Sequence, residues 1–279
     1  MVTGPAPRTP VQRSRLDRGG AREPALAGAQ SIQRAITLLR AVAQTNERGA
    51  RATALAAEVG LSVATTHRIL SVLAQEGLLT HDPYSKLYHL GVELFVLGTA
   101  AQEFSIRDRL RPVLEQVALE TEDTVFLLIR SGNDAVCIDR VEGCFPIRTL
   151  TLDVGARRPL GIGAGGMALL GFLPDPEIEA VLAANAPRYA SYAGFTADDI
   201  RNWVQQTREF GYALNNGSLR PSVLAVGVPV LDAARRIVAA VSVAAIPERM
   251  PEDRRERIAE MIARHLSLVG DAAGQTAVR

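Results

Sequence analysis

Apolar residues first fall into a regular period at Ile32, Ala35, Ile36, Leu39 and Val42, the three- and four-residue spacing of a helix with one buried face. Ser31 stands directly before this run and reads as its N-cap. Asn46 to Gly49 ends the helix. A second, short helix follows over Thr53 to Val59, with Gly60 at the position after it, where a left-handed backbone is needed. Leu61 plugs the turn, and Ser62 caps a third helix running to Glu76. Its inward positions are Thr66, Ile69, Leu70 and Leu73. Its outward positions are Val63, Ala64, Thr65, His67, Arg68 and Ser71.

Gly77 stops the third helix. Leu78 to Thr80 and Lys86 to Leu90 read as two short strands around a turn built on Asp82 and Pro83. Helix, helix, turn, helix and hairpin make a winged helix-turn-helix. Helical spacing returns over residues 92–121. Val92, Phe95, Val96 and Thr99 line one face, then Ile106, Leu110, Val113, Leu114 and Val117, with Pro112 as an interruption or a helix start.

From Thr124 the period shortens. Val125 to Ile129 and Ala135 to Ile138 are buried-strand runs around a Ser131–Asp134 turn. Gly161 to Leu173 is glycine-rich and leads into a helix. Thr196 caps another helix to Phe210. Leu224 to Leu231 and Ile237 to Ala245 are strands, and Pro251 to Val269 is a closing helix. Helices flanking an antiparallel-type sheet give an α+β domain. The expected organisation is a basic disordered tail over 1–29, a winged helix-turn-helix over 30–91, linker helices over 92–121, an α+β domain over 122–271, and a disordered tail over 272–279.

Charge changes this picture little. Lys plus Arg is 31 against 30 Asp plus Glu, so the whole chain gives no nucleic-acid signal. Residues 1–30 carry +3 and residues 31–95 carry +1. A near-neutral DNA-binding domain must gather its few cations on one face. The 2 cysteines, Cys137 and Cys144, suggest reduced thiols, neither a disulfide framework nor a zinc site. No apolar signal core opens the chain, and the late apolar stretch Ile237 to Ile246 is half of the roughly 20 residues a spanning helix needs. These readings imply a cytoplasmic protein with no membrane segment, no metal and no cofactor.

The chemistry concentrates on the third helix. Its N-terminal half must enter the major groove, which calls for small or hydrogen-bonding side chains on the outer face. Ala64 and Ser71 are small. Arg68 can donate two hydrogen bonds to a guanine edge or clamp a phosphate. Thr65 and His67 can bond a phosphate or a base. Ser62 with its helix N-terminus can take a phosphate, and Tyr84 and Lys86 sit on the wing, where backbone phosphates pass. The competing structural role for Arg68 is an ion pair with Glu58 or Glu76.

Residues 31–90, with SIQRAITLLRAV, ALAAEVGLSVATTHRILSVLAQEGLL and YHLG, resemble the winged-helix domain of the IclR (isocitrate lyase regulator) family. Residues 124–270, with AVCIDRVEG, GARRPLGIGAGGMALLGFLP, REFGYALNNG and AVGVPVLD, resemble its effector domain. The resemblance implies a GAF-like effector domain, a homodimer or homotetramer, double-stranded operator DNA as partner and a small organic-acid effector. It places the effector pocket on Ala164, Gly165, Asn215, Val223, Ala225, Ser242 and Ala244. The backbone N–H groups of Ala164 and Gly165, at a helix N-terminus, suit a carboxylate. Three positions depart from the family pattern. Asn215 replaces a frequent acid, Ala225 a polar residue and Met167 a frequent Lys. The pocket is therefore less polar, and an aromatic acid is among the effectors that fit it.

The function implied is a transcriptional regulator, a repressor or dual regulator of catabolic genes, whose operator affinity responds to the acid. An enzyme is disfavoured. The glycine-rich run is no P-loop, no Gly-x-Ser-x-Gly elbow exists, and three of the four histidines fall in the helix-turn-helix region. The other alternative is an interaction scaffold whose helix-turn-helix has lost DNA binding.

Overall fold

The computed structural model describes residues 29–99 and 102–269, so the tail readings for 1–28 and 270–279 lie outside the described residues. The N-terminal unit runs α1 (Gln30–Gln44), β1 (Ala50–Arg51), α2 (Ala52–Val59), α3 (Val63–Gln75), β2 (Leu79–His81) and β3 (Leu87–Leu90). Leu38, Val42, Leu55, Leu70, Leu79 and Tyr88 are buried at its centre. Gly60 has φ 71°, a left-handed value that ends α2 without strain and turns the chain into α3.

Two local expectations change. Ala29, not Ser31, occupies the N-cap of α1 and makes no side-chain cap; Ser31 lies inside the first turn. The wing is a three-stranded sheet of order β1-β3-β2, because Ala50 and Arg51 pair with Tyr88 and Leu87. Asn46 fixes that sheet to α1. Its Oδ1 accepts the Leu90 N–H at 2.7 Å, and its carbonyl lies 2.8 Å from His89 Nδ1.

After α4 (Glu93–Thr99) and α5 (Gln102–Thr121) comes the second unit. Its strands are β4 (Thr124–Ser131), β5 (Asp134–Val141), β6 (Arg157–Pro159), β7 (Ala213–Asn215), β8 (Leu224–Leu231) and β9 (Ile237–Ala245). They form one sheet of order β6-β5-β4-β9-β8-β7, antiparallel throughout. Strand alternation divides the side chains between two faces. Val125, Leu127, Val226, Val228, Val241 and Val243 pack under α5 and the closing helix α9 (Glu252–Val269). Leu128 and Ala240 on the other face pack under α6 (Gly163–Gly171), α7 (Asp175–Tyr189) and α8 (Ala197–Phe210). α5 runs through Pro112 and buries Leu110, Val113 and Leu114 against the sheet domain. α7 went unforeseen, and α8 opens on the expected Thr196, in a full capping box with Asp199.

Asp123 holds the corner between α5 and β4. Its side chain is 2% exposed, and it faces Arg249 Nε at 2.8 Å and Arg254 Nη2 at 2.9 Å. The first contact is an aligned hydrogen bond; Oδ2 is an ion-pair partner without hydrogen-bond geometry. Both arginines also donate to the Thr121 carbonyl, and the Arg249 guanidinium lies 3.9 Å from the centre of the Phe145 ring.

Both cysteines are free thiols. Burial pushes the Cys137 thiol up to about 12, whereas Cys144 is exposed. One thiol per native chain, Cys144, is therefore expected to react with a thiol reagent at neutral pH, and both after unfolding. Rapid reaction of both thiols in the native protein would contradict this burial. No helix among the described residues is long and apolar enough to cross a membrane.

Candidate DNA interface and ligand cleft

The outer face of α3 is built by its cap. Ser62 accepts the Thr65 N–H at 3.2 Å and donates its hydroxyl proton to Thr65 Oγ1 at 2.8 Å. Both hydroxyls thus fix the first turn of the helix, and the Thr65 hydrogen remains available to a phosphate or base. Thr66 and Leu70 are fully buried and Leu73 nearly so, which sets the helix rotation. That rotation exposes Ala64, His67 and Arg68 together. Ser71 is half-buried, 3.4 Å from His67 Nδ1. The Arg68 pairing with Glu58 or Glu76 weighed from the sequence is not formed, and Arg68 has no ion-pair partner among the described residues.

The wing turn is held by Asp82. Its carboxylate accepts the Tyr84 N–H at 2.9 Å and the Ser85 hydroxyl at 2.5 Å, and these bonds, the Ser85 one foremost, lower its pKa. Tyr84 is 94% exposed at the tip. Lys86 is exposed and has φ 61°, a left-handed value uncommon for a residue with a side chain. The turn thereby projects Tyr84 and Lys86 away from the domain core.

A candidate ligand cleft lies between the start of α6 and the sheet. Cross-strand pairing puts Phe126 beside Ser242, Ser242 beside Gly227, and Ala244 beside Ala225, which pairs with Asn215. Gly227 lets α6 approach: a Cβ there would lie 2.4 Å from the Ala164 carbonyl oxygen. Beyond that contact, sheet residues form the floor of a cleft of about 500 Å³, and β6 with the loops before β6 and β8 forms its lips. Thr149 ties one lip to the sheet by donating to the Ala244 carbonyl at 2.5 Å.

All seven pocket positions taken from the resemblance, Ala164, Gly165, Asn215, Val223, Ala225, Ser242 and Ala244, line this one cleft. So do Arg158 and Arg220, which the sequence reading did not single out. No sequence signal distinguishes them; β6 and the loop before β8 bring them to the lips. Among the described residues, no Asp or Glu lines the cleft. A second cleft of about 620 Å³ adjoins it across Gly163, Asn215 and Leu219, lined by Phe195, Trp203 and Tyr212 and by no charged side chain. Among the described residues, no group of His, Cys, Asp and Glu side chains converges to hold a metal ion.

Two family models account for most of the chain. The IclR helix-turn-helix domain matches residues 31–83, and the "Bacterial transcriptional regulator IclR C-terminal" domain matches residues 98–267. The chain belongs to the IclR family. Members are DNA-binding transcriptional regulators with a C-terminal effector domain, and this IclR-family protein is one of them. It is similar to the HTH-type transcriptional regulator KipR of Bacillus subtilis, 30% identical over 207 residues, covering 73% of this chain and 81% of that protein. The solved structure of an IclR regulator from Alicyclobacillus acidocaldarius has the same fold, with TM-score 0.71, 24% identity and coverage of 86% and 96%. So does an IclR homologue of Microbacterium hydrocarbonoxydans solved in complex with 4-hydroxybenzoate, with TM-score 0.73, 18% identity and coverage of 88% and 100%.

Proposed function

We propose that this IclR-family regulator is a cytoplasmic repressor whose operator affinity is set by a small organic acid held in the α6 cleft. The observation that carries the reading is the convergence of seven separated positions on one cleft with cations at its lips and no carboxylate in its lining. Consecutive N–H groups at the start of a helix favour an anion. The floor, from Phe126, Ala225 and Ala244, favours an apolar body. A protein of this fold holding 4-hydroxybenzoate supports the same ligand class. No catalytic step is part of the reading.

DNA contact falls to α3 and the wing. Arg68 reads a base edge or phosphate; Ser62, Ala64, Thr65, His67 and Ser71 shape the contact; Tyr84 and Lys86 meet the backbone. Two copies would place their α3 helices in successive major grooves about 34 Å apart. The assembly we propose is a homodimer or homotetramer. Ile32 and Ile36 on α1, and Val92, Phe95 and Leu97 at and within α4, are exposed apolar residues that association of chains would cover. α4 and the start of α5 are the proposed route by which the cleft biases the DNA-binding units.

The test is binding of the full chain to its own promoter fragment at two salt concentrations. Wild type is expected to bind tightly and to weaken as salt rises. Arg68→Ala is expected to bind about 10- to 100-fold more weakly, the worth of one bidentate base contact. Binding unchanged by Arg68→Ala would remove Arg68 from the interface. Absence of binding to the promoter and to genome-wide fragments would favour the scaffold alternative.

A further inference from the structure

Arginines of the sheet domain are commonly tied to carboxylates. Arg111 pairs with Asp139, Arg140 with Asp153, Arg188 with Asp134, and Arg208 with Asp175. Arg158 is an exception in a costly place. It is half-buried in the lining of the cleft. Its Nη2 donates to the Thr151 carbonyl at 2.6 Å, and among the described residues no carboxylate forms an ion pair with it. Its guanidinium also faces the wrong end of a helix: a Cβ on Gly163, the first residue of α6, would lie 3.6 Å from Arg158 Nη1. A helix N-terminus carries partial positive charge, so cation and dipole oppose each other. Arg220 lines the same cleft, is exposed, and has no ion pair among the described residues. Burial lowers the Arg158 pKa, and Arg220 adds to that lowering against an opposing influence from Tyr192.

A partly desolvated cation beside a second cation and a helix N-terminus lacks one thing, an anion. One carboxylate satisfies Arg158 and the helix N–H groups. It leaves Arg220 unmatched. We propose that Arg158 and Arg220 form a two-guanidinium receptor that selects a dicarboxylic acid with a short apolar spacer over the matching monocarboxylic acid. The spacer rests on Phe126, Val223 and Ala244 between the lips. This deepens, and rests on, the reading of the α6 cleft as the organic-acid site.

The experiment is calorimetric titration of the purified full chain with matched probes: benzene-1,4-dicarboxylate against benzoate, glutarate against butyrate, and benzamide as the uncharged reference. Each dicarboxylate is expected to bind at least about tenfold more tightly than its monocarboxylate, one extra charge-assisted contact. Arg220→Gln is expected to abolish that preference and to leave monocarboxylate binding in place. Arg158→Gln is expected to weaken both acids about tenfold or more, with partial recovery in Arg158→Lys. Unliganded Arg158→Gln is expected to melt at or above the wild-type temperature, because an unmatched charge is gone. Equal binding of mono- and dicarboxylates, or acids bound unchanged by Arg158→Gln, overturns the receptor and leaves the acid site standing. A marked fall in unliganded melting temperature makes Arg158 a structural tie to Thr151 and also overturns it. Benzamide bound as tightly as the acids, or no probe bound at all, removes the organic-acid reading itself and the receptor with it.

Discussion

Asp123→Ala is expected to destabilise the sheet domain by about 3–5 kcal/mol, the cost of leaving a buried pair's partners unmatched. Two guanidiniums, each 20% exposed, would lose their shared carboxylate. They would keep the Thr121 carbonyl, and Arg249 its Phe145 ring, which moderate but do not replace a negative charge. For a domain of this size the loss is roughly a 6–20 °C fall in Tm. Asp123→Asn keeps one acceptor for Arg249 and is expected to cost less. Calorimetric melting of the three proteins checks this. Asp123→Ala within about 1 kcal/mol of wild type would mean that water reaches the corner and screens it. The corner carries weight because it joins α5, β4, the lip loop at Phe145 and the turn before α9 in one ionic cluster.

Gly227→Ala is expected to damage both stability and effector binding. The added Cβ would lie 2.4 Å from the Ala164 carbonyl oxygen and 3.0 Å from the Gly165 nitrogen. Both are backbone atoms, so no rotamer change relieves the overlap, and the first turn of α6 must lift from the sheet. Overpacking of this kind costs about 1–3 kcal/mol. The N–H groups at the start of α6 lift with it, so affinity for any acid that binds wild type should fall about tenfold or more. Gly165→Ala is the informative contrast. Its Cβ would meet Leu128 Cδ1 at 2.5 Å, the end of a flexible side chain that can turn aside. Gly227→Ala melting and binding like wild type would show that α6 does not depend on this contact.

These two positions also show where sequence reasoning stopped. Elements with a long period or a chemical boundary were legible. Gly60 and Ser62 bracket the turn before α3, Thr196 opens α8, and the apolar runs of β8 and β9 stand where expected. β1, with two residues, and β6 and β7, with three each, are too short to show any period. They exist because a neighbouring strand offers an edge. α7 escaped notice because it starts at Asp175 and Pro176 and carries Pro187 inside, although Ile178, Val181 and Leu182 are buried at helical spacing. Ser31 failed as a cap because the helix begins a residue earlier, at Gln30.

The site divides in the same way. Outward positions of α3 follow from periodicity alone, since Thr66, Leu70 and Leu73 fix its rotation. The cleft does not follow from periodicity. Its floor comes from four strands, β4, β7, β8 and β9, and its lips from β6 and two loops. Resemblance to a family supplied the floor positions Asn215, Ala225, Ser242 and Ala244. Arg158 and Arg220 are two arginines in a chain with 31 basic residues, and nothing local marks them. Only the fold shows that no carboxylate stands beside them in the cleft.

The central claim is that occupancy of the cleft changes the grip on DNA. Linkage requires that an acid binding one DNA-competent arrangement better than the other must shift operator affinity, and that operator DNA must shift acid affinity by the same factor. The most direct measurement is operator Kd of the full chain with and without a saturating acid shown by calorimetry to bind the cleft. The account predicts a change of about fivefold or more, lost in Gly227→Ala. An acid that saturates the cleft while operator Kd stays the same at every concentration would contradict it.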